Sequence, residues 1–305
     1  MDQPSVGKSE QVVLLGKTDT MVGVITDPSA PTVGETPPAV IILNAAIVHR
    51  AGPGRIFVKM ARRLAELGFV CVRFDHNGIG DSDVRRDNIP YDEAVVMETR
   101  EVMDDLSRRR GIEKFVLAGL CSGAETAFRT ACCDHRVVGT VMINARGYDS
   151  SPQWNRHVIN KNLAREYWTQ SLFRPGSWWR ALTGRIQYRR LVSIIIRQIK
   201  STLLPGRAVT SKARELSSQM HRLVARGCRM LLVYSEDDYG LDYLRVILGA
   251  DSETTWASGA VTQEVIPRTD HVFTLLCHQD RLFQVVEDWA RTTWPTRCGQ
   301  GHEGL

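Results

Sequence analysis

Residues 115–124, Phe115-Val-Leu-Ala-Gly-Leu-Cys-Ser-Gly-Ala124, decide how this chain is to be read. The apolar run Phe115-Val-Leu-Ala118 has the pattern of a buried strand, and Ala124-Glu-Thr-Ala-Phe128 that of a helix. Between them lies a tight turn with Cys121 at its apex and Gly119 and Gly123 two places to either side. In a strand-to-helix turn that lifts a nucleophile clear of the backbone, the residues two before and two after it press together and must be small. Placing Ser122 at the apex would bring Leu120 into that contact, and leucine would clash. The register therefore selects Cys121 as candidate nucleophile. A thiol at a helix N-terminus, beside an imidazole, reaches its thiolate form more easily than a free one. The plainer alternative is a small buried cysteine in a glycine turn. Cys71, Cys132, Cys133, Cys228 and Cys277 stand in apolar runs, where the structural reading holds.

Outward from this turn, strand and helix patterns alternate. Residues 11–15 and 21–25 read as an entry hairpin, and Ala39-Val-Ile-Ile-Leu-Asn44 as a buried strand. Residues 56–68 have apolar positions at helical spacing and end in a glycine; Phe69-Val-Cys-Val-Arg-Phe74 is the next strand. A helix over 91–109, the strand and helix at the turn, and a strand over 137–144 follow. After a stretch from Gly147 to about Met220 where the periodicity changes character, the pattern resumes with Arg229-Met-Leu-Leu-Val-Tyr234, a helix near 241–248, a short strand over 262–266 and a final helix from Asp280 to Trp289. Such alternation predicts right-handed crossovers and a mostly parallel sheet covered by helices on both faces. With a nucleophile elbow in it, this is the pattern of the α/β-hydrolase fold.

That fold expects the acid after the strand that follows the insertion, and the base in a loop after the last strand. Ser235-Glu-Asp-Asp238 supplies three carboxylates, of which Asp238 fits best and Asp237 and Glu236 remain rivals. Pro267-Arg-Thr-Asp-His271 supplies the histidine that would take the thiol proton, with the acid fixing its tautomer. His49, His76 and His278 are weaker candidates. The oxyanion hole is expected from the backbone N–H of Ser122 together with that of Ala46 or Ile47 in the loop after Asn44.

The 305 residues, 43% hydrophobic and 24% charged, suit one large core with an appended element. Between Ser151 and Met220 thirteen Lys/Arg face only two acids, although the net charge of the whole chain is +5. Four tryptophans, Trp154, Trp168, Trp178 and Trp179, fall in the same stretch. We read it as a helical cap over residues 147–222, inserted between core segments 1–146 and 223–296, with a loose tail over 297–305. A solvated basic face or an attractor for an anionic partner would each produce such a charge pattern. No nucleic-acid-binding motif accompanies it. Neither a signal peptide nor a membrane span is legible, so a cytoplasmic protein without stable membrane insertion is expected. The seven cysteines match no disulfide framework or zinc site, and reduced thiols follow.

Several stretches together resemble the Cys-nucleophile α/β hydrolases associated with bacterial exosortase systems and, more distantly, dienelactone-hydrolase-type cysteine enzymes. They are Arg50-Ala-Gly52, Arg55-Ile-Phe57, Ala61-Arg-Arg-Leu-Ala65, Arg73-Phe-Asp-His-Asn-Gly-Ile-Gly-Asp-Ser82, Gly119-Leu-Cys-Ser-Gly-Ala124, Trp178-Trp-Arg-Ala-Leu-Thr-Gly-Arg185 and Asp270-His-Val-Phe273. The likeness spans roughly residues 40 to 290. It implies hydrolase or thioesterase-like activity with Cys121, Asp238 and His271 at the triad positions, and neither metal nor organic cofactor. This chain departs from it by Ala45-Ala46 in place of a Gly-Gly pair and by Ser122 in place of an acidic residue. Asp75, His76 and Asp81 fall in a loop that, in this fold, buttresses the site. Because acyl transfer from a thioester to a thiol is nearly isoenergetic, the expected substrate is an acyl-CoA or acyl-carrier-protein thioester. Trp178, Trp179 and Arg185 would hold its acyl chain and phosphates, and water or a small-molecule acceptor would take the acyl group. A carboxylester or lactone hydrolase, and an inactive hydrolase fold serving as a binding module, are the alternatives; a homo-oligomer is compatible with all three.

Overall fold

Alternate residues along the central strands are apolar without interruption, and the reason is that helices cover both faces. Val40 and Ile42 join one core cluster, Ile41 and Leu43 the other, as the two-residue pleat period requires. The computed structural model describes residues 10–29, 32–33, 36–145, 207–236, 238–248 and 258–298. Its strands are β1 (Glu10–Leu15), β2 (Met21–Thr26), β3 (Thr32–Val33), β4 (Ala39–Leu43), β5 (Cys71–Phe74), β6 (Phe115–Leu120), β7 (Val137–Ile143), β8 (Arg229–Ser235), β9 (Val261–Ile266) and β10 (Arg297–Cys298). Among the described residues, eight of them form one sheet in the order β1-β2-β5-β4-β6-β7-β8-β9. The hairpin β1–β2 is antiparallel and so is the β2–β5 pair; from β5 to β9 every pairing is parallel.

Helices α1 (Ile56–Glu66) and α6 (Leu276–Thr293) pack on one face through Phe57, Leu64, Leu282 and Phe283. On the other lie α2 (Tyr91–Arg110), α3 (Ser122–Cys133), α4 (Arg207–Ala225) and α5 (Tyr239–Leu248), through Met103, Phe128, Met220 and Leu244. Local signals set their ends. Asp92 and Glu93 stand in the first turn of α2, Arg108 to Arg110 in its last, and Gly111 closes it at φ +66°, a conformation open to glycine at no steric cost.

The α/β-hydrolase fold expected from the sequence is thus the observed one, with shifts at element ends. β5 opens at Cys71 rather than Phe69, because the N–H of Phe69 caps α1 on Leu64 O. The final helix begins at Leu276, four residues before Asp280: Leu276 and Cys277 in its first turn are exposed and carry no core-facing signal, while Gln279 is buried and donates to Phe273 O at 2.9 Å. Position 222 falls inside α4, whose Leu216, Met220 and Leu223 belong to the main core. Arg297 and Cys298 pair with Val33 and Thr32 in a short antiparallel ladder. Of the expected cap, residues 147–206 lie outside the described residues. No helix among the described residues is long and apolar enough to cross a membrane.

Candidate active site

The turn between β6 and α3 has the conformation its glycines foretell. Cys121 sits at φ +55°, ψ −117°, outside the regions that L-residues favour, and such strain persists only where the surroundings over-determine it. Those surroundings are backbone. A Cβ on Gly119 would stand 2.2 Å from the Gly123 carbonyl carbon, and one on Gly123 would stand 2.6 Å from Asn44 O. The N–H of Cys121 donates to Ile143 O at 2.9 Å, while its carbonyl accepts from Ala124 and Glu125 and so starts α3. Cys121 is half-buried. Burial pushes the Cys71 and Cys228 thiols upward and that of Cys132 to about 11, which leaves these three protonated and inert at neutral pH.

Asp238 and His271, expected as acid and base, come together. His271 Nδ1 and Asp238 Oδ2 are 2.5 Å apart, an arrangement that puts the ring proton on Nδ1 and the basic lone pair on Nε2. Asp238 is buried, its Oδ1 accepting the Gly240 N–H at 2.7 Å, whereas the His271 side chain keeps 24% of its exposure. Of the rival acids, Glu236 accepts the N–H of Arg268 at 3.0 Å instead, and Asp237 lies outside the described residues. Cys121, Asp238 and His271 follow β6, β8 and β9 at the carboxyl ends of the parallel strands, and Cys121 packs against the same apolar cluster as Val272. One residue beyond Ile143, the Asn144 side chain donates to His271 O at 2.7 Å.

The loop after β4 holds the other half of the site, and here the structure adds a feature absent from the sequence reading. Ala46, at φ +49°, donates its N–H to Ser122 Oγ at 2.7 Å. That expected oxyanion donor is therefore engaged by the hydroxyl next to Cys121. Ile47 stands 88% exposed beside it, and Ser122 is the first residue of α3, where backbone N–H groups have no partner within the helix. Asp75 fixes both ends of this loop. Fully buried, it accepts from Asn44 Nδ2 at 3.1 Å, from the Arg50 N–H at 2.5 Å and from the Arg50 guanidinium, which also reaches Asp81 at 2.8 Å. His76 is equally committed, with Nδ1 2.9 Å from the buried Glu98 carboxylate. Although burial raises it, hydrogen bonds from His76 and Arg85 hold the Glu98 carboxyl below the usual range. Asp75 and His76 are thus buried in hydrogen bonds and ion pairs beside this loop, with Asp81 joined to them through Arg50. His49 sits on the same loop, accepting the Ala51 N–H at 3.4 Å, and His278 on α6.

A cavity of about 430 Å³ between β9 and α6 is lined by Arg229, Glu264, Arg281 and Trp289 and by none of these groups. Trp178, Trp179 and Arg185, expected to contact substrate, lie outside the described residues. The sequence reading missed the Ser122–Ala46 contact and the part played by Asn144, for which the only signal was a polar residue at the end of an apolar strand.

Solved structures share this architecture. An α/β serine hydrolase homologue from Coxiella burnetii is 14% identical over 92% of this chain and 96% of its own, with a TM-score of 0.52. An esterase from Thermogutta terrifontis is 17% identical over 93% and 98%, with a TM-score of 0.52. A dienelactone hydrolase from Anabaena variabilis is 13% identical over 93% and 96%, with a TM-score of 0.51. At such identities the likeness establishes the fold. No curated protein matches in sequence. With an elbow, a His–Asp pair and an 8-stranded sheet in this order, and with residues 44–233 matching the family described as serine aminopeptidase, S33, the chain belongs to that family of α/β-hydrolase enzymes.

Proposed function

We propose that this enzyme transfers acyl groups from an ester or thioester through an acyl-cysteine on Cys121. The observation that carries the proposal is the elbow itself, a cysteine at φ +55° between two glycines that admit no side chain. His271 would take the thiol proton as Sγ bonds to the carbonyl carbon, then hand it to the departing alkoxide or thiolate as that bond breaks. Asp238 would hold the ring in the tautomer that leaves Nε2 basic. The oxyanion would be met by the N–H of Ser122 and by that of Ala46 or Ile47, the Ala46 donor once Ser122 Oγ gives way. Water, or a small acceptor, would then attack the acyl-cysteine and restore the thiol.

The cysteine favours a thioester substrate, since exchange between two sulfurs costs little, and the resemblance to Cys-nucleophile exosortase-associated hydrolases supports the same reading. The basic 147–222 cap, with Trp178, Trp179 and Arg185, suits an acyl-CoA or an acidic carrier protein. The Thermogutta protein, an esterase, supports the carboxylester reading instead. Incubation with a panel of acyl-CoA thioesters and p-nitrophenyl esters, read by intact-protein mass, tests these choices. An acyl adduct on the wild type and none on Cys121→Ala supports the mechanism; an adduct that survives Cys121→Ala refutes it. Among substrates that do react, Arg185→Glu with Arg189→Glu should raise KM for the CoA thioester in low salt and spare the neutral ester. An aminoacyl anilide turned over where neither ester nor thioester reacts would move the substrate to the amide bond an aminopeptidase, the activity named in the family description, cleaves.

A further inference from the structure

The strand that delivers Cys121 is flanked on both sides by strands that run into a buried asparagine, β4 into Asn44 and β7 into Asn144. Asn44 serves the oxyanion loop, donating to Val48 O at 3.0 Å and accepting the His76 N–H at 2.9 Å. Asn144 faces the opposite half of the site. It is wholly buried at φ +48°, in the left-handed region that asparagine tolerates better than most residues. Its Nδ2 donates to Ser235 Oγ at 2.8 Å and to His271 O at 2.7 Å, while its Oδ1 accepts the Ser235 N–H at 2.7 Å. Ser235 Oγ in turn donates to Asp270 O at 3.0 Å. One amide therefore joins the end of β8, three residues before Asp238, to the backbone of His271 itself.

We propose that Asn144 is a positioning residue that sets His271 against Asp238 and Cys121. The proposal rests on the triad reading above. Packing alone does not ask for an asparagine here. An apolar side chain would fill the space but strand the Ser235 N–H and lose the tie to His271 O, and buried backbone groups of this kind are nearly always paired. The two carbonyls it governs, directly at His271 and through Ser235 at Asp270, belong to the loop whose side chain does the proton transfer. Asp238 approaches from the other side, on a turn anchored at Ser235. Fixing both elements to one buried group removes the rigid-body freedom that would otherwise separate the acid from the base. Misplacement of a catalytic group by about 1 Å is enough to cost about a hundredfold in rate.

The test is the pH dependence of Cys121 alkylation by iodoacetamide in the full chain, followed by peptide mass spectrometry, with thermal unfolding measured alongside. Wild type and His271→Ala define the two extremes. Asn144→Gly accepts the positive φ and deletes the amide; Asn144→Asp keeps the shape and an acceptor for the Ser235 N–H but loses the donor to His271 O. Both should move the alkylation profile toward that of His271→Ala, and kcat for the best acyl substrate should fall about ten- to hundredfold with KM within about twofold. A purely structural asparagine would lower the unfolding temperature and leave the profile of the folded protein at wild type, which overturns the proposal. Should neither variant fold, Ser235→Ala, which keeps its backbone N–H but deletes the hydroxyl linking Asn144 Nδ2 to Asp270 O, should give a smaller shift of the same sign, and a wild-type profile there is equally fatal. A His271→Ala profile identical to wild type would instead bring down the triad reading, and this proposal with it.

Discussion

Ser122→Ala is the most informative single change, because under the proposed mechanism its hydroxyl occupies a donor that the substrate would need. Ser122 Oγ accepts the N–H of Ala46 at 2.7 Å on the open side of the site, and the substrate carbonyl must displace it to use that donor. A neutral hydrogen bond contributes about 0.5–1.5 kcal/mol net, and at an exposed position where water substitutes the lower part of that range, about 0.5–1 kcal/mol, applies. Removing it destabilises the free enzyme relative to both the bound substrate and the transition state. The cost disappears from KM and not from kcat: KM should fall about two- to fivefold while kcat stays within experimental error. The backbone N–H of Ser122, the other proposed oxyanion donor, is untouched. Steady-state kinetics on the best ester or thioester, run with wild type and variant side by side, resolves a change of this size. A fall in kcat at constant KM would show that the hydroxyl holds the loop in place rather than covering it. An inactive Ser122→Ala together with an active Cys121→Ala would refute the whole register and make Ser122 the nucleophile.

His271→Ala should slow acylation of Cys121 by about 10³ or more, and Asp238→Asn by less, since a thiolate depends less than an alkoxide on a correctly held tautomer; single-turnover rates check both, and a wild-type Asp238→Asn beside an impaired Asp237→Asn would reassign the acid. Gly123→Ala would place a Cβ 2.6 Å from the backbone at Asn44 O, so it should destabilise the fold by about 1–3 kcal/mol in urea unfolding and lose activity, whereas a fully active, stable variant would mean that the elbow is looser than described. At the far end of α3, burial raises the Asp134 carboxyl, yet the hydrogen bonds and charge of Arg136 hold it at about 2. A depressed carboxyl contributes stability above its ordinary range and loses it as pH falls through the folded value. Arg136→Leu should therefore be less stable than wild type at about pH 6, by on the order of 1 kcal/mol after solvent screening, and the gap should close toward about pH 2; a pH-independent gap would assign the effect to the lost packing of the guanidinium over the Phe115 ring, 5.8 Å from its centroid.

What the sequence determined by itself is local or periodic. Alternation of apolar runs with helical spacing required a parallel sheet with two covered faces, because each strand residue points to the opposite face from its neighbour. The register of the elbow was equally local: Gly119 and Gly123 lie within four residues of each other, and backbone sterics over that span leave one apex. The expected order of nucleophile, acid and base along the chain followed from the fold. Only the tertiary structure decided which partners meet. Asp238 rather than Glu236 reaches His271, 33 positions away; Ser122 Oγ covers the Ala46 N–H across 76 positions; Asn144 bonds Ser235 and His271 across 91 and 127. A hydrogen bond between distant loops depends on where the sheet order and the strand ends place two groups to within an ångström or so, and no periodicity in the chain encodes that. Sequence composition supplies the polar residues at the strand ends; the stacking of β4, β6, β7, β8 and β9 side by side decides whom they bond.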